Sequence, residues 1–123
     1  MYPALIFHSF NNNINSDKFY DLKITEFISL IDFLSNNVDP KKLTLTFDDG
    51  YKSILPAVEE ALKRWFQVIA YIVTDYVDKD GFLTRKDLKY LLEIGCKIGS
   101  HTKSHKDLTQ ANEKELIKEL KDS

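Results

Sequence analysis

Cysteine is almost absent from this chain: Cys96 stands alone among 123 residues. No intrachain disulfide can form, and the redox compartment stays open because many exported bacterial proteins also lack disulfides. A charge excess is missing too. The 17 basic and 19 acidic residues leave a net charge of −2, so no electrostatic argument favours nucleic acid or an anionic membrane as partner. No segment approaches the ~18 consecutive apolar residues of a membrane span. The start, Met1-Tyr2-Pro3-Ala4-Leu5-Ile6-Phe7-His8, has neither a basic region nor a long apolar core. A signal peptide is therefore not visible, and the chain as written reads as cytoplasmic, with cell-envelope association left open. Repeats, linkers and low-complexity tracts are also missing, as expected of one domain with a modest core. Histidine is scarce as well: there are three, and two of them fall in the five-residue segment His101 to His105.

What is present is an alternation of short apolar strands and amphipathic helices. Ala4 to Phe7 reads as a buried strand, and Asn11-Asn12-Asn13 as loop. Ile24, Phe27, Ile28, Ile31 and Leu34 recur at helical spacing, with Thr25 as candidate N-cap. After the break at Pro40, Leu43 to Phe47 alternates as a second strand. Ile54, Val58, Leu62 and Trp65 predict one face of a helix that tolerates Pro56 in its first turn. Val68 to Val73 is continuously apolar, as expected of a strand covered on both faces. Asp78-Lys79-Asp80-Gly81 reads as a turn. Thr84 with Asp87 predicts a capping box for a helix carrying Leu88, Leu91 and Leu92. Cys96 to Ser100 is a short fourth strand, and Leu116, Ile117 and Leu120 mark a last helix. This order implies an α/β fold of about four β/α units on a mostly parallel sheet.

Two segments carry chemistry, and both fall just after a strand's C-terminal end, where α/β sheets place ligand sites. The first is Thr46-Phe47-Asp48-Asp49-Gly50; the second is His101-Thr102-Lys103-Ser104-His105. A catalytic zinc-type site takes three protein ligands and keeps one position open. Asp49, His101 and His105 make such a set, the histidines sharing one side of a helical turn by their spacing of four. Asp48 points elsewhere, stays free of the ion and can take a proton from water. An amide or ester hydrolase follows from these parts. Each segment alone has a plainer reading, Asp-Asp-Gly as a solvated turn and His-x-x-x-His as surface; their coincidence at strand ends is the argument.

At these residues the sequence resembles the polysaccharide deacetylases, the NodB-homology or carbohydrate esterase 4 family. Thr46 to Gly50 is similar to the family's first motif, followed by Tyr51, and His101 to His105 to its second, within Ile98 to Leu108. The resemblance runs over roughly residues 3 to 120. It implies a partial (β/α) deformed barrel, Asp48 as catalytic base, and Asp49, His101 and His105 as ligands of one divalent metal. Zinc is the default ion; cobalt, nickel and manganese suit the same donors. It also implies Tyr51 at the substrate and removal of acetyl from an N-acetylated glycan of the N-acetylglucosamine type. The family's later arginine and Leu-x-His motifs lie beyond its histidine motif, whereas this sequence ends 18 residues after His105. The sequence thus reads as the N-terminal half to two-thirds of a deacetylase domain spanning 1–123. Its opening, Leu5 to Phe10, resembles the poly-N-acetylglucosamine deacetylase branch, where a histidine after the first strand is the general acid. His8 is the matching position, its other reading being a strand-end histidine that caps a loop.

Rival readings exist. Asp78, Asp80 and Gly81 resemble part of a calcium loop, but Tyr76 would hold its first position and Asp87 its last, and a turn with a capping box explains the segment. A truncated barrel would also expose a strand edge and apolar helix faces, favouring self-association or an inactive carbohydrate-binding module. The aromatics Tyr2, Phe7, Phe10, Phe19 and Tyr20 could stack on sugar rings, with core packing as the alternative.

Overall fold

The computed structural model describes residues 3–11 and 21–123. Four parallel strands form the central sheet: β1 (Ala4–Phe7), β4 (Thr44–Phe47), β5 (Gln67–Ile72) and β6 (Lys97–Ser100), side by side in that order. A two-stranded parallel ribbon pairs β2 (Ser9–Phe10) with β3 (Asp21–Leu22). The sheet strands are followed in turn by α1 (Ile24–Asn37), α2 (Leu55–Lys63), α3 (Arg85–Glu93) and α4 (Glu113–Lys121). These are the four β/α units and the parallel sheet that the sequence implied.

The core lies where β4 and β5 meet the helices. Phe27 and Ile31 of α1, Ala57, Val58 and Ala61 of α2 and Leu91 of α3 join Leu45, Phe47, Val68 and Ala70 there, all buried. A phenylalanine cluster closes one end: Phe27 and Phe47 lie 5.9 Å apart between ring centroids, and Phe7 and Phe10 stand edge-on to Phe27 at 5.0 and 5.1 Å. Phe7 and Phe10 are thus packing residues. Tyr2, Phe19 and Tyr20 lie outside the described residues.

Several local expectations need correction. β1 is an edge strand and is not buried: Leu5 is 36% and Ile6 63% exposed. β4, between two neighbours, is instead the strand enclosed on both faces, with Leu45, Thr46 and Phe47 all buried. β5 alternates, burying Val68, Ala70 and Ile72 and leaving Ile69 and Tyr71 half-buried. Thr25 lies inside α1; the cap position is Lys23, whose N–H donates to Glu26 Oε2 at 3.4 Å. Trp65 follows α2 with φ 67 and is 74% exposed, because the helix has already ended at Lys63. Leu92 points outward while Leu91 fills the core.

The capping box of α3 is present: Asp87 N–H donates to Thr84 Oγ1 at 3.1 Å, and Thr84 N–H to Asp87 Oδ2 at 2.8 Å. Burial alone would raise the Asp87 carboxyl, but hydrogen bonds from Thr84 and the charge of Lys52 outweigh it and hold it below the usual range. Asp78 accepts from Arg85 N–H at 3.0 Å and pairs with Arg85 Nε at 3.4 Å, which commits its carboxylate to the start of α3.

Candidate active site

Parallel pairing brings the strand ends to one edge. Phe7 is in register with Phe47, Phe47 with Ala70, and Ile72 with Ser100. The residues that follow, His8, Asp48 with Asp49, and His101, therefore emerge together. Two backbone bonds extend the register past the strands: Asp48 N–H donates to Phe7 O and His101 N–H to Ile72 O, both at 2.9 Å.

The chain turns sharply after Phe47. Asp49 and Gly50 have φ of 73 and 82, and a Cβ at Gly50 would stand 3.3 Å from Ile72 Cδ1. Two adjacent left-handed residues reverse the chain and divide the carboxylates between different directions. Burial pushes the Asp48 carboxyl above its ordinary value; His101 and His8 pull it down, Asp49 pushes it up and His105 pulls it down.

Asp49 faces the histidines. Its Oδ1 lies 3.0 Å from His105 Nε2 and 3.3 Å from His101 Nε2. That oxygen is buried and takes no hydrogen bond. Ligand atoms of the three residues all lie within 4.8 Å of one another. In a tetrahedral site with bonds of about 2.1 Å, neighbouring ligands stand about 3.4 Å apart. The donor spacing and the orphaned carboxylate oxygen both fit a divalent cation, so Asp49, His101 and His105 could hold one. His8 and Asp48 are not among these converging donors.

The histidine segment is not helical. It is a loop in which Thr102 and His105 take φ of 66 and 60, and His105 N–H donates to Thr102 Oγ1 at 3.1 Å. The histidines converge because a tight polar turn folds the segment back, not because a helix presents i and i+4. Two neighbours hold this turn. After β5, Asp75 N–H donates to Lys103 O at 2.9 Å and Thr74 N–H to Thr102 O at 3.3 Å. From α4, Glu119 accepts Ser104 N–H at 2.8 Å and Ser104 Oγ–H at 2.6 Å. Sequence reasoning missed Glu119 because Leu116, Ile117 and Leu120 drew attention to the opposite side of that helix. The usable signal was a carboxylate repeating every four residues, Glu115 and Glu119, on a helix that follows a loop rich in N–H and O–H donors.

Tyr51 closes the other flank. Its ring stacks on Phe82 at 5.0 Å, and Phe82 meets Tyr76 at 4.6 Å, an aromatic shelf beside the Asp-Asp-Gly turn. Burial, then Asp49, pushes the Tyr51 phenol up, so its hydroxyl stays protonated as a donor. On the opposite flank, His101, Thr102, His105 and Leu108 line an open cleft of about 310 Å³.

Known proteins resemble this chain in sequence and in fold. The peptidoglycan-N-acetylglucosamine deacetylase PgdA of Listeria monocytogenes is 31% identical over 83 residues, which are 65% of this chain and 17% of that protein. BC0361, a polysaccharide deacetylase from Bacillus cereus, superposes with a TM-score of 0.82 at 24% identity, over 98% of this chain and 44% of that one. The Streptococcus pyogenes deacetylase PplD, solved in complex with acetate, superposes at 0.85 with 21% identity, over 99% of this chain and 65% of that one. The chain thus spans less than two-thirds of the length of each, and the two structural likenesses speak for the fold. The polysaccharide deacetylase family model matches residues 35–123. The chain belongs to the polysaccharide deacetylase family.

Proposed function

We propose that this chain carries a metal-dependent deacetylase site that removes N-acetyl groups from an amino-sugar glycan. The observation that carries the reading is Asp49 Oδ1, buried without a hydrogen bond and facing two imidazole nitrogens at 3.0 and 3.3 Å. Asp49, His101 and His105 would hold one divalent ion, zinc by default. Bound there, such an ion lowers the pKa of water and polarises a carbonyl. Asp48, adjacent to the trio, accepts the proton of the attacking water as its oxygen bonds to the acetyl carbon. His8, level with Asp48 across the β1–β4 pair, gives a proton to the amine nitrogen as the C–N bond breaks and acetate leaves. Tyr51, protonated and on the aromatic shelf, would donate to the sugar. The substrate class follows the Listeria relative's name, with N-acetylglucosamine as the sugar.

Zinc calorimetry on the chain tests the metal first. One-to-one binding that disappears in His105→Ala is the expected result; equal binding in that variant would sink the ligand assignment. Acetate release from N-acetylglucosamine oligomers then tests the base. Asp48→Asn should lose about 10²–10⁴-fold in turnover while zinc binding stays. Full turnover in that variant removes Asp48 from its role.

A second reading, self-association, is supported by the exposed edge strand β1 and by Ile117 and Leu120 of α4, 54% and 57% exposed. A solution mass that stays monomeric from micromolar to millimolar chain would dismiss it.

A further inference from the structure

The last helix meets the molecule through polar groups. Along α4, Glu119 is the buried residue and faces inward, while Ile117 and Leu120 face out. Glu119 is 6% exposed. Its carboxylate takes both donors of Ser104, N–H at 2.8 Å and Oγ–H at 2.6 Å, and its carbonyl takes Lys103 N–H at 3.1 Å. On the far side of the same turn, Lys103 O accepts Asp75 N–H. Residues 102–104 are thus gripped between α4 and the turn after β5. The next residue is His105, at φ 60. A non-glycine residue stays in that region only where its surroundings hold it.

We infer that Glu119 is a positioning residue: acting through Ser104, it fixes the turn that carries His105 to Asp49 and so sets how tightly the trio binds a metal. Two donors of one residue converge on one place, and a carboxylate can accept both without reorganising. An apolar side chain at 119 would take away the acceptor of both at this partly buried contact. Groups that orient ligands from behind in this way are typically worth about 10–100-fold in metal affinity. The inference rests on the metal reading above, and its test keeps the two apart.

The full chain is titrated with zinc as wild type, Glu119→Ala, Glu119→Gln and Ser104→Ala, and hydrogen exchange of the loop amides is followed in parallel. Zinc affinity should fall about 10–100-fold in Glu119→Ala and Ser104→Ala, and recover in part in Glu119→Gln, whose amide oxygen still accepts Ser104 N–H. Amide protection in β4 and β5 should not change, which separates loop positioning from general destabilisation. Wild-type affinity in both Ala variants overturns the inference and leaves the metal reading standing. If the wild type binds no zinc, the metal reading fails by itself and the Ser104 amide decides. Loss of its protection in Glu119→Ala sustains the clamp; unchanged protection ends it. Should Glu119→Ala fail to fold, Ser104→Ala, a change on a half-exposed loop, carries the zinc arm.

Discussion

The two halves of the site are held by different physics. Asp48 and Asp49 follow β4, a strand buried on both faces and paired on both edges. His101 and His105 follow β6, an edge strand of the described sheet whose four residues are half-buried or exposed; their loop accepts hydrogen bonds from Thr74 and Asp75 N–H and donates to Glu119. A carboxylate on a core strand needs little beyond the core. Ligands on an edge strand that is covered only in part need a scaffold of polar contacts as well. The core half should therefore fail by unfolding, and the edge half by losing geometry while the fold survives.

Phe47→Ala is the hardest blow to the first half. The ring is fully buried among Phe7, Phe10 and Phe27, and its loss should cost about 3–5 kcal/mol, a large share of a small domain's stability. Denaturant midpoints measure it. A folded variant with a loss under about 1 kcal/mol would mean the core does not hold the carboxylates.

Gly50→Ala strikes the same half at its turn. With φ 82 and Ile72 Cδ1 at 3.3 Å from the new Cβ, roughly 1–2 kcal/mol of backbone strain is expected. Zinc affinity should fall with stability, since Asp49 is the neighbouring residue. An unchanged midpoint would place the turn's rigidity elsewhere.

Thr84→Ala sharpens the comparison by probing a polar support on the core side. The Asp78–Leu83 segment abuts the Asp-Asp-Gly turn, with Leu83 N–H donating to Gly50 O and Lys52 N–H to Gly81 O at 2.9 Å. Losing the cap should cost about 1 kcal/mol. Asp87 adds a pH signature: its carboxyl is held below the usual range in the fold. Its contribution is present above the unfolded value of about 3.9 and disappears as pH falls through the folded value. The stability gap between wild type and Asp87→Ala should therefore narrow below about pH 4; a gap that is constant from pH 3 to 7 contradicts the pairing.

Legibility in the sequence divides along the same line. The order of strands and helices, the β4 strand and the α3 capping box could be read because apolar periodicity and local caps are short-range signals. The convergence of Asp49 with both histidines was also readable, through strand-end placement, although the helical turn invoked for the histidines is a left-handed loop. Burial at the edges was not readable. Leu5 and Ile6 look as apolar as any core strand, and only the strand order reveals that β1 has a single partner among the described residues. Leu116, Ile117 and Leu120 made an apolar stripe that the fold turns outward, while Glu119 on the same helix meets the loop donors of Ser104.

That last point is the most delicate to break. Leu120→Gln changes an exposed side chain and should shift stability by no more than about 0.5 kcal/mol, with zinc affinity unchanged. Glu119→Ala, one position earlier, should cost more zinc affinity than Leu120→Gln, although helical propensity and hydrophobicity rank leucine as the more structural residue. Paired zinc titrations of the two variants decide it. If Leu120→Gln were the worse, α4 would be docked by its apolar side in solution, and the histidine loop would owe its shape to that packing rather than to the carboxylate.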